Sequence, residues 1–250
     1  GLSILVGWLD TGYISFYLYE FNAYGFYPLL YAFSGILGFL TFALLGKKLI
    51  QKSKEHDMFT MADYFYNLFS FRTGVIISFA NLLLMFLWVT MLFLVGGKLL
   101  SSTTDISLNT ASFLILVFAL PYILLGGFRA VLGTDVLQAS LIIICFLLLF
   151  FSIGDLNNIN LLPPKTVSAF NLEQVLFALF SIFSWVLLSG DVWQRIHAVK
   201  NVNHLRGGFV IASILNILFP LSIAFLAWNY LTPSSPDPLF DLLNEGLATS

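Results

Sequence analysis

The sequence predicts an all-α polytopic membrane protein, and three observations lead to that prediction. Hydrophobic residues make up 59% of the 250 positions and charged residues only 10%, whereas soluble domains contain about 25% charged residues. The mean hydropathy is +0.92. Seven apolar segments meet or approach the roughly 20 helical residues that cross a bilayer core of about 30 Å. We therefore treat 1–250 as a single transmembrane domain.

The predicted spans follow one another along the chain with polar connections between them. They cover residues 2–20, 26–48, 74–99, 111–127, 134–153, 174–196 and 207–231. Pro121 and Pro220 fall inside the fourth and seventh spans, where neighbouring helices can satisfy the carbonyl that a proline frees. Because the chain opens on Gly inside an apolar segment, we expect a fragment of a longer protein, truncated at both ends.

The positions of the basic residues predict the orientation in the membrane. If the first span runs outward from the cytoplasm, all but two of the 11 Lys and Arg residues fall on the cytoplasmic side, and only Lys98 and Lys165 fall outside. The positive-inside rule favours this arrangement. We expect a multi-pass protein of the plasma (inner) membrane.

Composition argues against several other classes of protein. The chain has no basic face for nucleic acid, and Cys145 is its single cysteine, so neither a disulfide nor a Cys-rich transition-metal site is expected. It has no His-Glu-x-x-His metalloprotease motif, and the seventh span has no lysine for a retinal Schiff base. We expect neither an enzyme nor a bound organic cofactor.

The stretch "GGFRAVLGTDVLQ", residues 126–138, interrupts two apolar runs. Gly126 and Gly127 allow the chain to leave the fourth span, and Gly133 precedes a helix-start signal. Asp135 and Gln138 have the spacing of a capping box. The sequence therefore predicts a cytoplasmic turn here, with Asp135 capping the fifth span.

Polar residues interrupt the first and sixth spans. Asp10 lies within "GWLDTGYISFY", where it marks an ion or substrate path or, alternatively, makes a helix–helix hydrogen bond near the cytoplasmic surface. The sixth span carries Ser181 and Ser184 one turn apart, then a break at 189–191, Ser-Gly-Asp. Paired breaks in oppositely directed spans indicate the central site of a transporter, with carbonyls for a cation such as Na⁺ and amides for a polar solute.

Three motifs resemble those of the sodium/solute symporters, a family that includes proline, sugar and choline carriers. The first is the interrupting stretch, through Gly126, Gly127, Ala130, Val131, Thr134, Asp135 and Gln138. The second is "DVWQRIHAVKN", with Gln194 and Arg195, and the third is "FTMADYF" at 59–65. The resemblance as a whole covers nearly the whole chain.

The resemblance implies a leucine-transporter-like five-plus-five inverted-repeat fold, with its first seven core helices present. It implies a first helix broken near Tyr13 and Phe16, whose backbone carbonyls would bind the coupling Na⁺. Asp135 would lie on the cytoplasmic release path of the ion. Ser15 would face the substrate, and an inner gate would include the residues 184–185, Ser-Trp.

Two functions remain open from the sequence. The first is a secondary transporter that couples Na⁺ entry to uptake of a small polar organic solute by alternating access in the lipid bilayer. The second is a sensor module of the same fold, fused to a histidine-kinase domain outside the chain. The residues with which sugar carriers bind sugar have no clear counterparts here, so a sugar is disfavoured. Oligomeric state is open.

Overall fold

The computed structural model describes residues 9–56, 58–151, 171–199 and 201–230. Every regular element within those ranges is a helix, which confirms the all-α prediction for that part of the chain. The helices are α1 (Thr11–Tyr24), α2 (Leu29–His56), α3 (Met61–Leu68), α4 (Phe71–Thr104), α5 (Leu108–Phe151), α6 (Leu172–Leu188), α7 (Gly190–Ala198) and α8 (Val202–Tyr230). Residues 2–8, 152–153 and 231 of the predicted spans, like both chain ends, lie outside the described residues.

Several helices are long and apolar enough to cross a membrane. Among the described residues these are Leu29–Ser53, Phe71–Thr104, Leu108–Gly126 and Val202–Asn229. The bent pair formed by α6 and α7 adds a fifth if it counts as one span. The protein is therefore an integral, multi-pass membrane protein. Pro121 and Pro220 lie inside α5 and α8, as the sequence predicts.

The prediction of a turn between the fourth and fifth spans is wrong in this structure. α5 is one helix of 44 residues that includes the whole stretch 126–138. The two glycines and Gly133 each weaken a helix by only about 1 kcal/mol, and no proline follows them. The spacing of the apolar residues is the same whether the glycine pair lies inside a helix or at a turn, so the spacing could not show that the helix continues.

The length of α5 limits how it can lie in a bilayer. At 1.5 Å per residue, 44 residues extend about 66 Å, roughly twice the hydrocarbon thickness. The part that is long and apolar enough for a span ends at Gly126, and Gly133–Ile144 forms a shorter apolar stretch. Thr134 and Asp135 therefore lie in the second half of α5, beyond the first apolar segment.

α2 occupies the centre of the packing. It lies against α6 and α8, while α4 packs on α3 and α5, and α1 packs on α8 and α4. Small residues allow the closest approach: a Cβ atom on Gly38 would lie 2.7 Å from Cβ of Val186 on α6. Helices in membranes commonly meet at such small residues.

Two apolar clusters surround this centre. One joins α1 to α8 and includes Tyr17, Phe21 and Ile223. The other joins α2, α3, α7 and α8 and includes Phe42 and Trp193. These clusters hold the beginning of α1 and the junction of α6 with α7 in place, and both positions carry polar groups.

Candidate functional site

A non-helical pair, Leu9 and Asp10, precedes α1, which begins at Thr11. We call this pair the first break. The Oδ1 atom of Asp10 accepts a hydrogen bond of 2.7 Å from the backbone N–H of Tyr13. An aspartate in this position satisfies a free amide of the first turn and meets the positive end of the helix dipole. Asp10 thus caps α1 at the first break.

The resemblance places the break of the first helix near Tyr13 and Phe16, and that location is wrong. Both residues lie inside α1, where a backbone carbonyl accepts the helical hydrogen bond of the residue four positions later. The helix begins at Thr11 and is capped by Asp10. Na⁺ ligation by these two carbonyls stays a prediction, and it requires the first turns of α1 to unwind. The Ser15 hydroxyl on the same helix is buried without a hydrogen-bond partner among the described residues.

The second interruption separates α6 from α7. Ser189 has an extended backbone, with φ −67° and ψ 117°, and the two helices meet at 46°. Its N–H donates to the carbonyl of Trp185 at 2.9 Å, and its carbonyl accepts from the N–H of Trp193 at 3.3 Å. Its hydroxyl donates to Asp191 in the first turn of α7. The predicted break in the sixth span is confirmed.

One helix, α4, contacts residues beside both interruptions. The Trp88 side chain lies beside Asp10, and its ring centroid lies 5.1 Å from that of Trp185, with 48° between the ring planes. About two turns earlier on α4, Asn81 approaches the second break, because a Cβ atom on Gly190 would lie 3.0 Å from the Nδ2 atom of Asn81. The two breaks therefore border the same face of α4, because Asn81 and Trp88 are seven residues apart, or about two turns.

Sequence reasoning missed Asn81 and Trp88. A lone asparagine in the apolar run "FANLLLMFLW" was the available signal, since amides are uncommon inside spans and mark polar contacts. For Trp88 the available signal was its position in the middle of the predicted span 74–99, away from the membrane interface where tryptophan is usually expected.

Two family-motif residues form a buried ion pair. Nη2 of Arg195 on α7 lies 3.2 Å from Oδ2 of Asp135 on α5, with side-chain exposures of 8% and 6%. Nη1 of the same arginine lies 2.5 Å from Oδ2 of Asp191, one turn earlier on α7. Arg195 thus joins two carboxylates, one on its own helix and one on α5.

This geometry corrects the predicted role of Asp135 as a helix cap. Asp135 lies in the interior of α5, where backbone amides already bond to carbonyls one turn earlier, and its carboxylate bonds to Arg195 instead. The Asp-x-x-Gln spacing was the source of the error, because the same spacing also occurs inside helices.

The other predicted site residues are dispersed. Gly126, Gln138 and Gln194 are exposed, while Thr134 and Ser184 are half-buried. The surroundings of Gly127 lie outside the described residues. The structure brings Asp10 and Trp185 together through Trp88, and Asp135 and Arg195 together directly, and it leaves the motif glutamines apart from both groups.

A serine from α2 interrupts the hydrogen-bond pattern of α6 close to the second break. The hydroxyl of Ser34 accepts a hydrogen bond of 2.7 Å from the N–H of Phe183 and donates to the carbonyl of Leu179. In a regular helix those two backbone groups bond to each other. A side chain inserted in this way bends a helix locally. α6 can therefore bend at two places: where the Ser34 hydroxyl inserts into its backbone, and at Ser189.

Ligands for a cation are few in the described part of the chain. No three His, Cys, Asp or Glu side chains come together there. The carboxylates that lie nearest to the two breaks are Asp10 and Asp191, and Asp191 is already paired. Any cation held between the breaks would depend on Asp10 and on backbone or hydroxyl oxygens.

Comparisons with known proteins identify relatives of the chain. The model of the sodium:solute symporter family matches residues 20–232. The sodium/pantothenate symporter of Haemophilus influenzae is 29% identical over 194 residues, which are 70% of this chain and 40% of that protein. The sodium/pantothenate symporter of Escherichia coli is 24% identical over 191 residues, again 70% and 40%. The chain thus spans about two-fifths of the length of these relatives.

The family match covers most of the chain, including both described partners of the buried ion pair and the break between α6 and α7. The chain belongs to the sodium:solute symporter family.

Proposed function

We propose that the full protein couples Na⁺ entry to the uptake of a small polar organic solute in the plasma (inner) membrane. The single observation that carries this proposal is the family match over residues 20–232. The break between α6 and α7 supports it, because transporters commonly bind solute and coupling ion at such interruptions near the bilayer midplane. We expect the leucine-transporter-like five-plus-five inverted repeat, of which this chain would supply the first seven core helices.

Alternating access requires one part of the protein to move against another. α7 can move as a short lever because Ser189 separates it from α6 at 46° and because Ser34 weakens α6 a turn or so earlier. The Asp135–Arg195 pair joins α7 to α5. In the proposed cycle this pair is intact while the cytoplasmic side is closed and separates when it opens.

Separation of the pair would leave Arg195 with Asp191, because the two lie one turn apart on the same helix. Asp135 would lose its contact with the Arg195 cation. A carboxylate that loses a cationic neighbour lowers the electrostatic barrier for a departing cation, so Asp135 would serve Na⁺ release in the open state.

The relatives indicate the first solute to test. Both are named sodium/pantothenate symporters, so pantothenate is the first candidate. We expect Na⁺-driven uptake by the full-length protein in proteoliposomes, measured for pantothenate, amino acids and choline-like amines under inward gradients of Na⁺ or K⁺. The proposal predicts accumulation of at least one solute under the Na⁺ gradient alone. Equal uptake under both gradients for every solute, with no effect of Na⁺ on thermal stability, would contradict it.

A further inference from the structure

We propose that α3, together with the adjoining ends of α2 and α4, binds the headgroup of an anionic phospholipid. The residues concerned are Lys48 and Lys52 near the end of α2, Tyr66 and Phe69 at α3, and Arg72 at the start of α4. We call them the basic–aromatic surface. The proposal concerns the lipid partner of the protein and does not depend on which solute is transported.

α3 is a short helix fixed between two helices that are long and apolar enough to cross a membrane. The Tyr64 hydroxyl donates a hydrogen bond to the backbone carbonyl of Leu49 on α2. On the other side, a Cβ atom on Gly74 of α4 would lie 2.9 Å from Cβ of Tyr66. The apolar part of α2 ends at Ser53, and α4 follows α3 directly. α3 therefore lies where two spans reach the same edge of the membrane.

The remaining surface of α3 and its flanks exposes aromatic side chains. Tyr66 is 51% exposed and Phe69 is 70% exposed. Phe59, just before α3, and Phe71, just after it, are exposed as well. Aromatic rings beside the end of a span are typical of the membrane–water interface, where the ring lies among the upper acyl chains and the headgroups. This exposure therefore favours a membrane surface as the partner of α3.

The basic residues continue the exposed apolar faces of α2 and α4. On α2, Leu44 is 75% exposed, and Lys48 and Lys52 follow it by one and two further turns. On α4, Ile76 is 67% exposed, and Arg72 precedes it by one turn. Residues at this spacing lie on the same side of a helix. The three cations thus lie directly beyond side chains that can contact acyl chains, at the level of lipid phosphates.

The local charge also fits an anionic headgroup. Residues 47–72 contain five of the 11 basic residues and three of the 13 acidic residues, so the segment has a net charge of +2 while the whole chain has −2. Lys48, Lys52 and Arg72 are exposed and form no ion pair within the described part of the chain. The carboxylate of Asp63 already accepts two backbone N–H groups before α3.

The predicted orientation places this surface on the cytoplasmic side, where membranes carry their anionic lipids. Each Lys or Arg close to such a surface strengthens binding by about fivefold. A zwitterionic headgroup has the same phosphate, but its ammonium group cancels the charge. The basic–aromatic surface should therefore prefer an anionic lipid to a zwitterionic lipid with the same acyl chains.

Lipid binding to the purified full-length protein tests the proposal with such a matched pair. Dioleoylphosphatidylglycerol and dioleoylphosphatidylcholine differ in headgroup charge and share their acyl chains. Each lipid is titrated into delipidated protein in a nonionic detergent at constant Na⁺, and the melting temperature is recorded. We expect the anionic lipid to raise the melting temperature at a concentration at least about twentyfold lower than the zwitterionic lipid. The preference should shrink when KCl is added, because salt screens exposed charges.

Two double variants locate the lipid preference to the basic–aromatic surface. Lys48→Gln with Lys52→Gln removes two charges and should retain a preference of about fivefold or less, the share of Arg72. Lys48→Arg with Lys52→Arg keeps both charges and should keep the wild-type preference. Because both side chains are exposed, both variants should melt near the wild-type temperature without lipid. Equal binding of the two lipids by the wild type, or an unchanged preference in the glutamine variant, would overturn the proposal.

A reporter tryptophan shows whether lipid or another part of the protein covers α3. Phe69→Trp places the indole on the exposed side chain of this surface, and phosphatidylglycerol with brominated acyl chains quenches tryptophan on contact. We expect this variant to lose a larger fraction of its fluorescence than the wild type on addition of the brominated lipid. No additional quenching would show that another segment of the full-length protein covers Phe69, and it would overturn the proposal.

Discussion

Arg195 and Asp135 are 60 positions apart in the sequence, yet their side chains form a buried ion pair of 3.2 Å between α7 and α5. Both belong to stretches that resemble family motifs, and no property of either stretch alone connects them. The pair links the short helix after the second break to the longest helix of the structure. It therefore ties the part of the protein that we expect to move to a part that we expect to stay fixed.

Loss of the buried partner should destabilise the protein more than loss of the exposed one. Asp135→Ala removes one carboxylate from the buried Arg195, and breaking a buried pair costs about 3–5 kcal/mol. The Asp191 side chain is 33% exposed, so Asp191→Ala should cost about 1 kcal/mol or less. Denaturation in detergent, followed by tryptophan fluorescence, measures both. Equal losses of stability in the two variants would contradict the conclusion that the Asp135 carboxylate stabilises the protein more than the Asp191 carboxylate does.

Replacing both buried charges should separate stability from transport. A double variant, Asp135→Leu with Arg195→Met, fills the same space with apolar groups, and such exchanges are often neutral or stabilising. We expect its melting temperature to lie closer to that of the wild type than the temperature of Asp135→Ala does. We also expect it to lose Na⁺-driven uptake, because no carboxylate is released when α7 moves. Uptake at the wild-type rate would show that the pair is only structural.

A glycine substitution distinguishes the helix at 126–133 from the predicted turn. A Cβ on Gly133 meets nothing within 4 Å, so Gly133→Ala should stabilise a helix by about 0.5–1 kcal/mol. At a turn the same change brings no such gain. Gly38→Ala is the contrasting variant, since its Cβ would lie 2.7 Å from Val186, and overpacking of this kind costs about 1–3 kcal/mol. Destabilisation by Gly133→Ala would favour the turn.

The sequence predicts the features of this structure that depend on neighbouring residues. It does not predict those that depend on contacts between residues far apart in the chain. The break at Ser189 was predictable because glycine, serine and aspartate interrupt an apolar run locally. The continuity of α5 was not, because Asp-x-x-Gln after glycine has the same pattern at a helix start and in a helix interior. The partner that decides the role of Asp135 is Arg195, and the packing of Trp88 on Trp185 likewise exists only in the folded chain.

The short helix α3 gives a pH-dependent test outside the membrane. Thr60 and Asp63 form a capping box. Burial alone raises the pKa of Asp63, but hydrogen bonds from the N–H groups of Phe59 and Thr60 outweigh it and hold the pKa below its usual 3.8. The charged carboxylate therefore stabilises the fold above that usual pKa, and this contribution disappears as the pH falls through the lowered value.

The corresponding comparison uses Asp63→Asn. We expect the wild type to be more stable than the variant by about 0.3–1 kcal/mol at neutral pH, because asparagine keeps an accepting oxygen but removes the charge that the positive end of the helix dipole stabilises. The difference should stay constant down to about pH 5 and shrink below about pH 4. Thermal melting at a series of pH values measures it. A difference that grows on acidification would contradict the assigned direction of the pKa shift.

The central claim is that Na⁺ and solute cross the membrane together, and solute-stimulated Na⁺ influx tests it most directly. The full-length protein is reconstituted in proteoliposomes, and entry of radioactive Na⁺ is recorded at zero membrane potential with and without the solute that the uptake panel identifies. The account predicts that solute raises Na⁺ influx severalfold in the wild type and not in the Asp135→Leu, Arg195→Met double variant. Solute uptake without any accompanying Na⁺ influx would contradict the claim.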